Sequence, residues 1–177
     1  MTEFTLGLTQ LLGHGHAFSE VVPVTSPAAG AGFTYKNTGL YWELVDSLSF
    51  SMVTGSNAAN RLTTLTVKHA DGTPLATVPS AAALTASKTG YYTYLQNYSA
   101  TTGATDGPFL NTFPAIFLQP DWTVNVAVGN IDAADQISGI YLNVQRFVTG
   151  KAGYLLGVVD VDDPAMLERI AWHDVTR

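Results

Sequence analysis

Histidine and aspartate pairs have the spacing in this sequence that comes closest to that of metal ligands. His14 and His16 are two residues apart in a glycine-rich segment, so both imidazoles can reach one ion. Neither a cysteine nor a close carboxylate completes the four fixed ligands of a structural zinc site. Asp132 and Asp135 lie in the segment N-I-D-A-A-D-Q, which lacks the repeating oxygen ligands and central glycine of a calcium loop. We therefore predict no metal and no cofactor, and expect Asp132 and Asp135 to cap a turn.

The carboxylates and local motifs favour a protein without enzymatic activity. A glycosidase needs two carboxyl groups that face each other across a cleft, whereas Glu43 and Asp46 fall on opposite faces of a regular strand. The motifs G-x-S-x-G and H-E-x-x-H and the phosphate-binding loop do not occur in the sequence. A catalytic group assembled from distant positions stays open, because triads are recognised by geometry rather than by order. We predict no catalytic residues.

Tyrosines and one arginine are the stronger candidates for recognition and for structure. Strand alternation places Tyr91 opposite Tyr92 and Tyr94, which we expect in the core. An outward tyrosine suits a half-wet surface, so Tyr91 is predicted to fill a protein interface, to stack on a sugar or simply to cover a sheet. Arg61 is one of only eight Lys and Arg residues. We predict that it binds a carboxylate or backbone carbonyls and fixes a loop.

Composition and charge exclude several classes of function. Charged residues make up 12% of the 177 residues, against about 25% in typical soluble domains. Surfaces of Thr, Ser and Asn are cheaper to bury than charged ones, which favours a protein packed into assemblies, although Thr is also simply common on strands. No basic run, signal peptide or membrane-spanning stretch is apparent. We expect neither nucleic acid nor membrane as a partner, and synthesis in the cytosol.

Alternation of apolar and polar residues predicts an all-β body over residues 32–149. The predicted strands are Tyr41–Thr54, Arg61–His69, Pro74–Val78, Ala82–Ser87 running on into Tyr91–Tyr98, Ile116–Leu118, Trp122–Val128 and Ile137–Val148. Asp71-Gly72 and Pro120-Asp121 supply turns. Because no crossover helix interrupts these strands, we expect antiparallel pairing in a β-sandwich of the jelly-roll type, with an immunoglobulin-like sandwich as the alternative.

Both ends of the chain differ from this body. Residues 1–31 are predicted to form an extended arm that becomes ordered against a neighbouring subunit, or a strand that adds to the edge of its own sheet. Residues 150–177 form an acidic tail, in which Asp163-Pro164 begins a short helix that docks on the body or on a partner. The predicted interface residues are Phe4, Leu6, Leu8, Leu11, Leu12, Phe18 and Tyr91.

A set of strand and turn motifs resembles small virion proteins of tailed bacteriophages. The motifs are Tyr41-Trp42-Glu43-Leu44 before Ser47-Leu48-Ser49-Phe50, T-G-S-N-A-A-N-R at 54–61, Leu65-Thr66-Val67 with Asp71-Gly72, A-S-K-T at 86–89 and D-Q-I at 135–137. The resemblance covers roughly residues 41–148 and contains no catalytic signature.

The resemblance implies a jelly-roll module of the phage particle, assembled in the host cytoplasm. The expected role is a capsid decoration or cement protein whose partners are the major capsid protein and further copies of itself, with a trimer favoured. The alternative that the resemblance implies is a tail or head-fibre module that binds carbohydrate on the host surface.

Overall fold

The fold is all-β, as the alternation predicts. The computed structural model describes residues 18–39, 41–96, 98 and 108–147, and these contain ten strands and no helix. The strands are β1 (Phe18–Val24), β2 (Phe33–Lys36), β3 (Trp42–Val53), β4 (Leu62–Lys68), β5 (Pro74–Pro79), β6 (Thr89–Gln96), β7 (Pro108–Phe113), β8 (Phe117–Leu118), β9 (Thr123–Gly129) and β10 (Gln136–Phe147).

The ten strands form two sheets that pack face to face. Sheet A has the order β1-β10-β3-β6-β7, with β8 paired to the beginning of β3, and sheet B has the order β2-β9-β4-β5. Every pair is antiparallel except β6 and β7, which run parallel. The prediction of wholly antiparallel pairing was therefore wrong for this pair. The connection from Gln96 to Pro108 is long enough for the return crossing that parallel neighbours require.

The core lies between the sheets and follows the predicted alternation. Val124 and Val126 of β9 are fully buried from sheet B. Phe50 of β3 stacks on Tyr92 of β6, with ring centroids 4.9 Å apart. Tyr92 and Tyr94 both lie in the core, which confirms their predicted inward orientation. Such offset aromatic pairs add roughly 0.5–1.5 kcal/mol to the gain from burial alone.

Residues 18–24 form β1 and pair with β10 at the edge of sheet A, which agrees with the edge-strand alternative predicted for the arm, because Val22 and Val24 reach the core. Three other segments differ from their predicted structure. Residues 82–87 form no strand, and Leu84 alone makes an isolated bridge to Arg61. Strands β2 and β7 were not predicted. The arm before residue 18 and the tail after residue 147, with its predicted helix, lie outside the described residues.

The predicted turns are confirmed, and a bulge adds an irregularity. Gly72 lies in the turn of the β4–β5 hairpin with φ +87°. Its amide donates a hydrogen bond to His69 O, which closes the turn. Asp121 turns the chain into β9 with φ +69°. In β10 the register shifts between Ser138 and Tyr141 around Gly139, whose φ is +61°. This bulge lies at the outer face of sheet A, beside Ser49 and Ser51.

Candidate functional site: the outer face of sheet A

Exposed apolar side chains are concentrated on the outer face of sheet A, which we call the A face. Among the described residues, six of the eight large hydrophobic side chains that are exposed belong to it. They are Val21, Trp42, Val53, Tyr91, Phe117 and Tyr141. Tyr91 is 60% exposed and Tyr141 is 48% exposed. Scattered exposed hydrophobic residues are ordinary, whereas exposed apolar residues that share one face make that face a candidate interaction surface.

The polar part of the A face is almost free of charge. Of the described strand residues that alternate outward from sheet A, only Asp46 carries a charge. Both oxygens of the Asp46 carboxylate accept hydrogen bonds from Gln145 Nε2, at 2.9 and 2.8 Å. Asn143 Nδ2 donates to Ser47 Oγ at 2.6 Å. Because these polar groups are already hydrogen-bonded to each other, the free-energy cost of desolvating them when the A face is covered is small.

A shallow groove crosses the middle of the A face. Strand β3 contributes Ser49 and Ser51 to its floor, with Tyr91 of β6 opposite Ser51 and Tyr141 of β10 opposite Ser49. The depression has a volume of about 250 Å³ and is lined by Ser49, Ser51, Tyr91, Thr93 and Gly139, whereas Tyr141 lies beside it on β10. Short hydroxyl side chains therefore lie between two half-exposed phenol rings.

Three further rings form a second cluster, at the end of sheet A where β3 begins and β10 ends. Phe117 lies 6.4 Å from Trp42 and 5.2 Å from Phe147, measured between ring centroids. Trp42 and Phe147 are opposite each other in the β3–β10 register. We call this cluster of Trp42, Phe117 and Phe147 the aromatic end patch.

A buried polar network underlies the aromatic end patch and ties the two sheets together. Tyr35 of sheet B donates from its hydroxyl to Glu43 Oε2 at 2.6 Å, and Arg146 Nε donates to Glu43 Oε1 at 2.9 Å. Arg146 also pairs with Glu20 of β1. Burial and the adjacent Glu43 carboxylate raise the pKa of Tyr35, so the phenol stays protonated. Glu43 thus has both oxygens occupied inside the sandwich, while Asp46 lies on the A face, as predicted.

The predicted structural role of Arg61 is confirmed at the opposite end of the sandwich. Arg61 and Asp135 are completely buried and form two hydrogen bonds, at 2.9 Å from Nε and 3.2 Å from Nη2. Arg61 Nη1 also donates to the carbonyls of Asn57 and Ala59, at 2.7 and 2.6 Å. Burial alone raises the pKa of Asp135, but the hydrogen bonds from Arg61 and from the Asp132 and Gly55 amides outweigh it and lower that pKa.

Asp132 and Asp135 cap a turn, as expected from the sequence. Asp132 Oδ1 accepts a hydrogen bond from the Ala134 amide at 3.0 Å, and Asp135 Oδ2 accepts one from the Asp132 amide at 2.8 Å. The side chain of Asn57 also donates to Asp132. Within the described part of the chain, no group of three or more His, Cys, Asp or Glu residues is placed to hold a metal ion.

Of the predicted interface residues, the structure places only Tyr91 on a described surface. Phe18 lies in β1 and pairs with Arg146 through the backbone. The remaining interface residues, with His14 and His16, fall outside the described residues. Tyr141, Trp42 and Phe117 were not predicted as site residues. For Tyr141 the signal was present, since alternation in I-Y-L-N-V places this large aromatic side chain outward.

Comparisons with known proteins add no relative to this description. A scan of protein-family models and searches of curated proteins and of solved structures returned no match. In the part of the chain that the structure describes, no helix is long and apolar enough to cross a bilayer.

Proposed function

We propose that this protein is a structural component of a tailed-bacteriophage virion, acting as a decoration or cement protein that binds the capsid through its A face. One observation carries the proposal: most of the exposed large apolar side chains share a face on which a single charged residue lies. Interface cores are depleted of charge and enriched in aromatic residues in the same way. The motif resemblance to small phage virion proteins supports the choice of partner.

The strand pairing supports a jelly-roll description of the sandwich. β1 pairs with β10, β2 with β9, β3 with β6 and β4 with β5. Strands from the first half of the chain therefore pair in reverse order with strands from the second half, as in one long hairpin that is folded into two sheets. Strands β7 and β8 are not part of this pattern. Two successive Greek keys produce such pairing, which favours the jelly roll over the immunoglobulin-like alternative.

The proposed mechanism is stabilisation of the assembled shell by many contacts. A protein that binds the closed lattice and not its loose subunits stabilises the lattice by mass action. Burying an exposed aromatic or aliphatic side chain contributes about 1.5–3 kcal/mol, and contacts from several linked copies multiply through avidity. The major capsid protein and sister subunits, in a trimer, are the proposed partners.

The test places charge in the centre of the A face. Tyr91→Lys combined with Tyr141→Lys is expected to abolish binding to phage heads produced without this protein, because two ammonium groups would have to be desolvated. Leu62→Lys combined with Leu75→Lys is the matched control, since both leucines are exposed on sheet B. Co-sedimentation with the heads and circular dichroism measure binding and folding. Full occupancy by the folded A-face variant would overturn the proposal.

A second candidate function follows from the groove beside Tyr91. A pyranose ring has an apolar face that stacks on a phenol, and its hydroxyls match the floor of Ser49, Ser51 and Thr93. The absence of charge in this groove favours a neutral sugar. A glycan array followed by calorimetry tests this candidate, with Tyr91→Ala expected to remove binding and Leu75→Ala to retain it. A blank array with folded protein contradicts it.

A further inference from the structure

The aromatic end patch leaves two large aromatic side chains exposed at one end of sheet A. Trp42 is 39% exposed and Phe117 is 43% exposed, although each ring contacts another ring of the patch. Phe117 meets Phe147 edge to face, with an interplanar angle of 73°. The rings are thus ordered against one another but covered by no described element. A preformed apolar surface of this kind binds a partner with little further ordering cost.

Residues 1–17 and residues 148–177 both join the described chain beside the patch, because β1 begins at Phe18, whose partner in the register is Arg146. Phe147 is both a member of the patch and the last described residue of β10, so residues 148–177 continue directly from it. The connection from Phe147 to Pro164 extends to roughly 50 Å at 3.3 Å per residue. Residues 164–172 can therefore return to the patch without strain. A tether of this length also gives a high effective concentration, on the order of millimolar.

The chemistry of the tail segment fits the patch. Met166, Leu167 and Ile170 are spaced to share one side of a short helix, and Trp172 follows directly. A helix of about two turns is marginal in water without tertiary support. Methionine also packs favourably against aromatic rings, with its sulfur near the ring edge. Residues 4–12 also have apolar side chains at helical spacing, with Phe4, Leu8 and Leu11 at i, i+4 and i+7, but they contain no methionine or tryptophan to pack on the rings.

We propose that the aromatic end patch is the docking site of residues 164–172 of the same chain. The docked segment covers Trp42 and Phe117 and closes the end of sheet A above the Tyr35–Glu43–Arg146 network. The docked segment takes Trp42 and Phe117 out of the exposed A face, which leaves Val21, Val53, Tyr91 and Tyr141 for the proposed capsid contact. The capsid-binding test uses only Tyr91 and Tyr141. Loss of capsid binding and loss of this docking are therefore separate outcomes.

The absence of native cysteine makes a cross-linking test direct. Full-length protein with Phe117→Cys and Leu167→Cys is treated with a short bis-maleimide linker, beside a Leu75→Cys and Leu167→Cys control on sheet B. A mixture of isotopically light and heavy protein distinguishes links within a chain from links between chains. An intrachain link at 117 well above the control supports the proposal. A yield equal to the control, or links between chains only, overturns it.

Two further measurements identify the competing occupant and guard against perturbation by the cysteines. A Phe117→Cys and Leu8→Cys variant that cross-links in place of the 117–167 variant would assign the patch to the N-terminal arm and overturn the proposal. In the otherwise native chain, Phe117→Ser is expected to speed trypsin cleavage after Arg169 by about tenfold, because cleavage follows the population of the released segment. Leu75→Ser should leave that rate unchanged. Equal rates for the two variants would contradict docking.

Discussion

At the residue scale, the ion pair between Arg61 and Asp135 is the most constrained contact. Both side chains are fully buried, and of the four hydrogen bonds from Arg61 two go to the Asp135 carboxylate and two to the backbone carbonyls of Asn57 and Ala59. Breaking a buried pair by removing one partner leaves an uncompensated charge. The main effect of the pair on stability is therefore that it neutralises two buried charges, and its net attraction is the smaller contribution.

Removing the cation should destabilise the protein strongly. We expect Arg61→Met to lower the free energy of unfolding by about 3–5 kcal/mol, because Asp135 would remain buried without its partner. Lys36→Met is the matched control. It breaks the exposed pair of Lys36 with Asp121, which should cost less than about 1 kcal/mol. Urea unfolding measures both changes, and similar values for the two variants would contradict the assignment.

Two neighbouring buried tyrosines should respond oppositely to the loss of their hydroxyls. No group in the described part of the chain bonds to the hydroxyl of Tyr92, whereas Tyr94 Oη lies 3.0 Å from Thr63 Oγ1. Tyr92→Phe removes an unpaired buried polar atom and should leave stability unchanged or raise it by about 1 kcal/mol. Tyr94→Phe should lower it by about 1–2 kcal/mol, because Thr63 loses its partner. Thermal unfolding distinguishes the two, and equal losses would contradict the account.

Residue roles were predictable from the sequence only in part. The scarcity of cations identified Arg61 as structural, but its partner Asp135 lies 74 positions away and no local pattern links the two. Alternation likewise separated Tyr91 from Tyr92 and Tyr94, because a strand has a strict period of two. It says nothing about which outward residues share a groove, since that depends on strand order.

At the element scale, the long strands with clean alternation were predicted, whereas the short strand β2 and strand β7 were missed. β9 and β10 follow an apolar–polar pattern along almost their whole length. β7 does not, because the buried Asn111 occupies an inward position between Phe109 and Phe113. Asn111 Oδ1 accepts a hydrogen bond from the Ala81 amide at 2.8 Å. A tertiary hydrogen bond thus replaces the apolar residue that the pattern required.

This hydrogen bond should anchor β7 to the loop before β6. Asn111→Ala leaves the Ala81 amide without its partner, so we expect a loss of about 1–3 kcal/mol in the free energy of unfolding. Thr77→Ala on the exposed side of β5 is the control and should change stability by less than about 0.5 kcal/mol. Urea unfolding again provides the measurement. A change in Asn111→Ala no larger than in the control would show that β7 does not depend on this contact.

At the scale of the whole molecule, composition predicts that part of the surface is covered by other proteins, but it does not predict which part. The charged fraction of 12% is an average over the whole chain, so it does not distinguish one face of the sandwich from another. Sheet B carries Lys36 and Lys68 on its outer side, whereas the A face carries Asp46 alone among its described strand residues. That asymmetry follows from strand order, which brings β3, β6 and β10 together from distant parts of the chain. No periodicity within one strand encodes it.

Hydroxyl-radical footprinting on phage heads tests most directly whether the A face is the buried interface. Labelling of Tyr91 and Tyr141 is compared between the free protein and the protein bound to heads, with Leu62 and Leu75 of sheet B as internal references. We expect both tyrosines to be protected several-fold on the particle while the two leucines keep their labelling. Tyrosines labelled equally in both states, or protection confined to sheet B, would contradict the account.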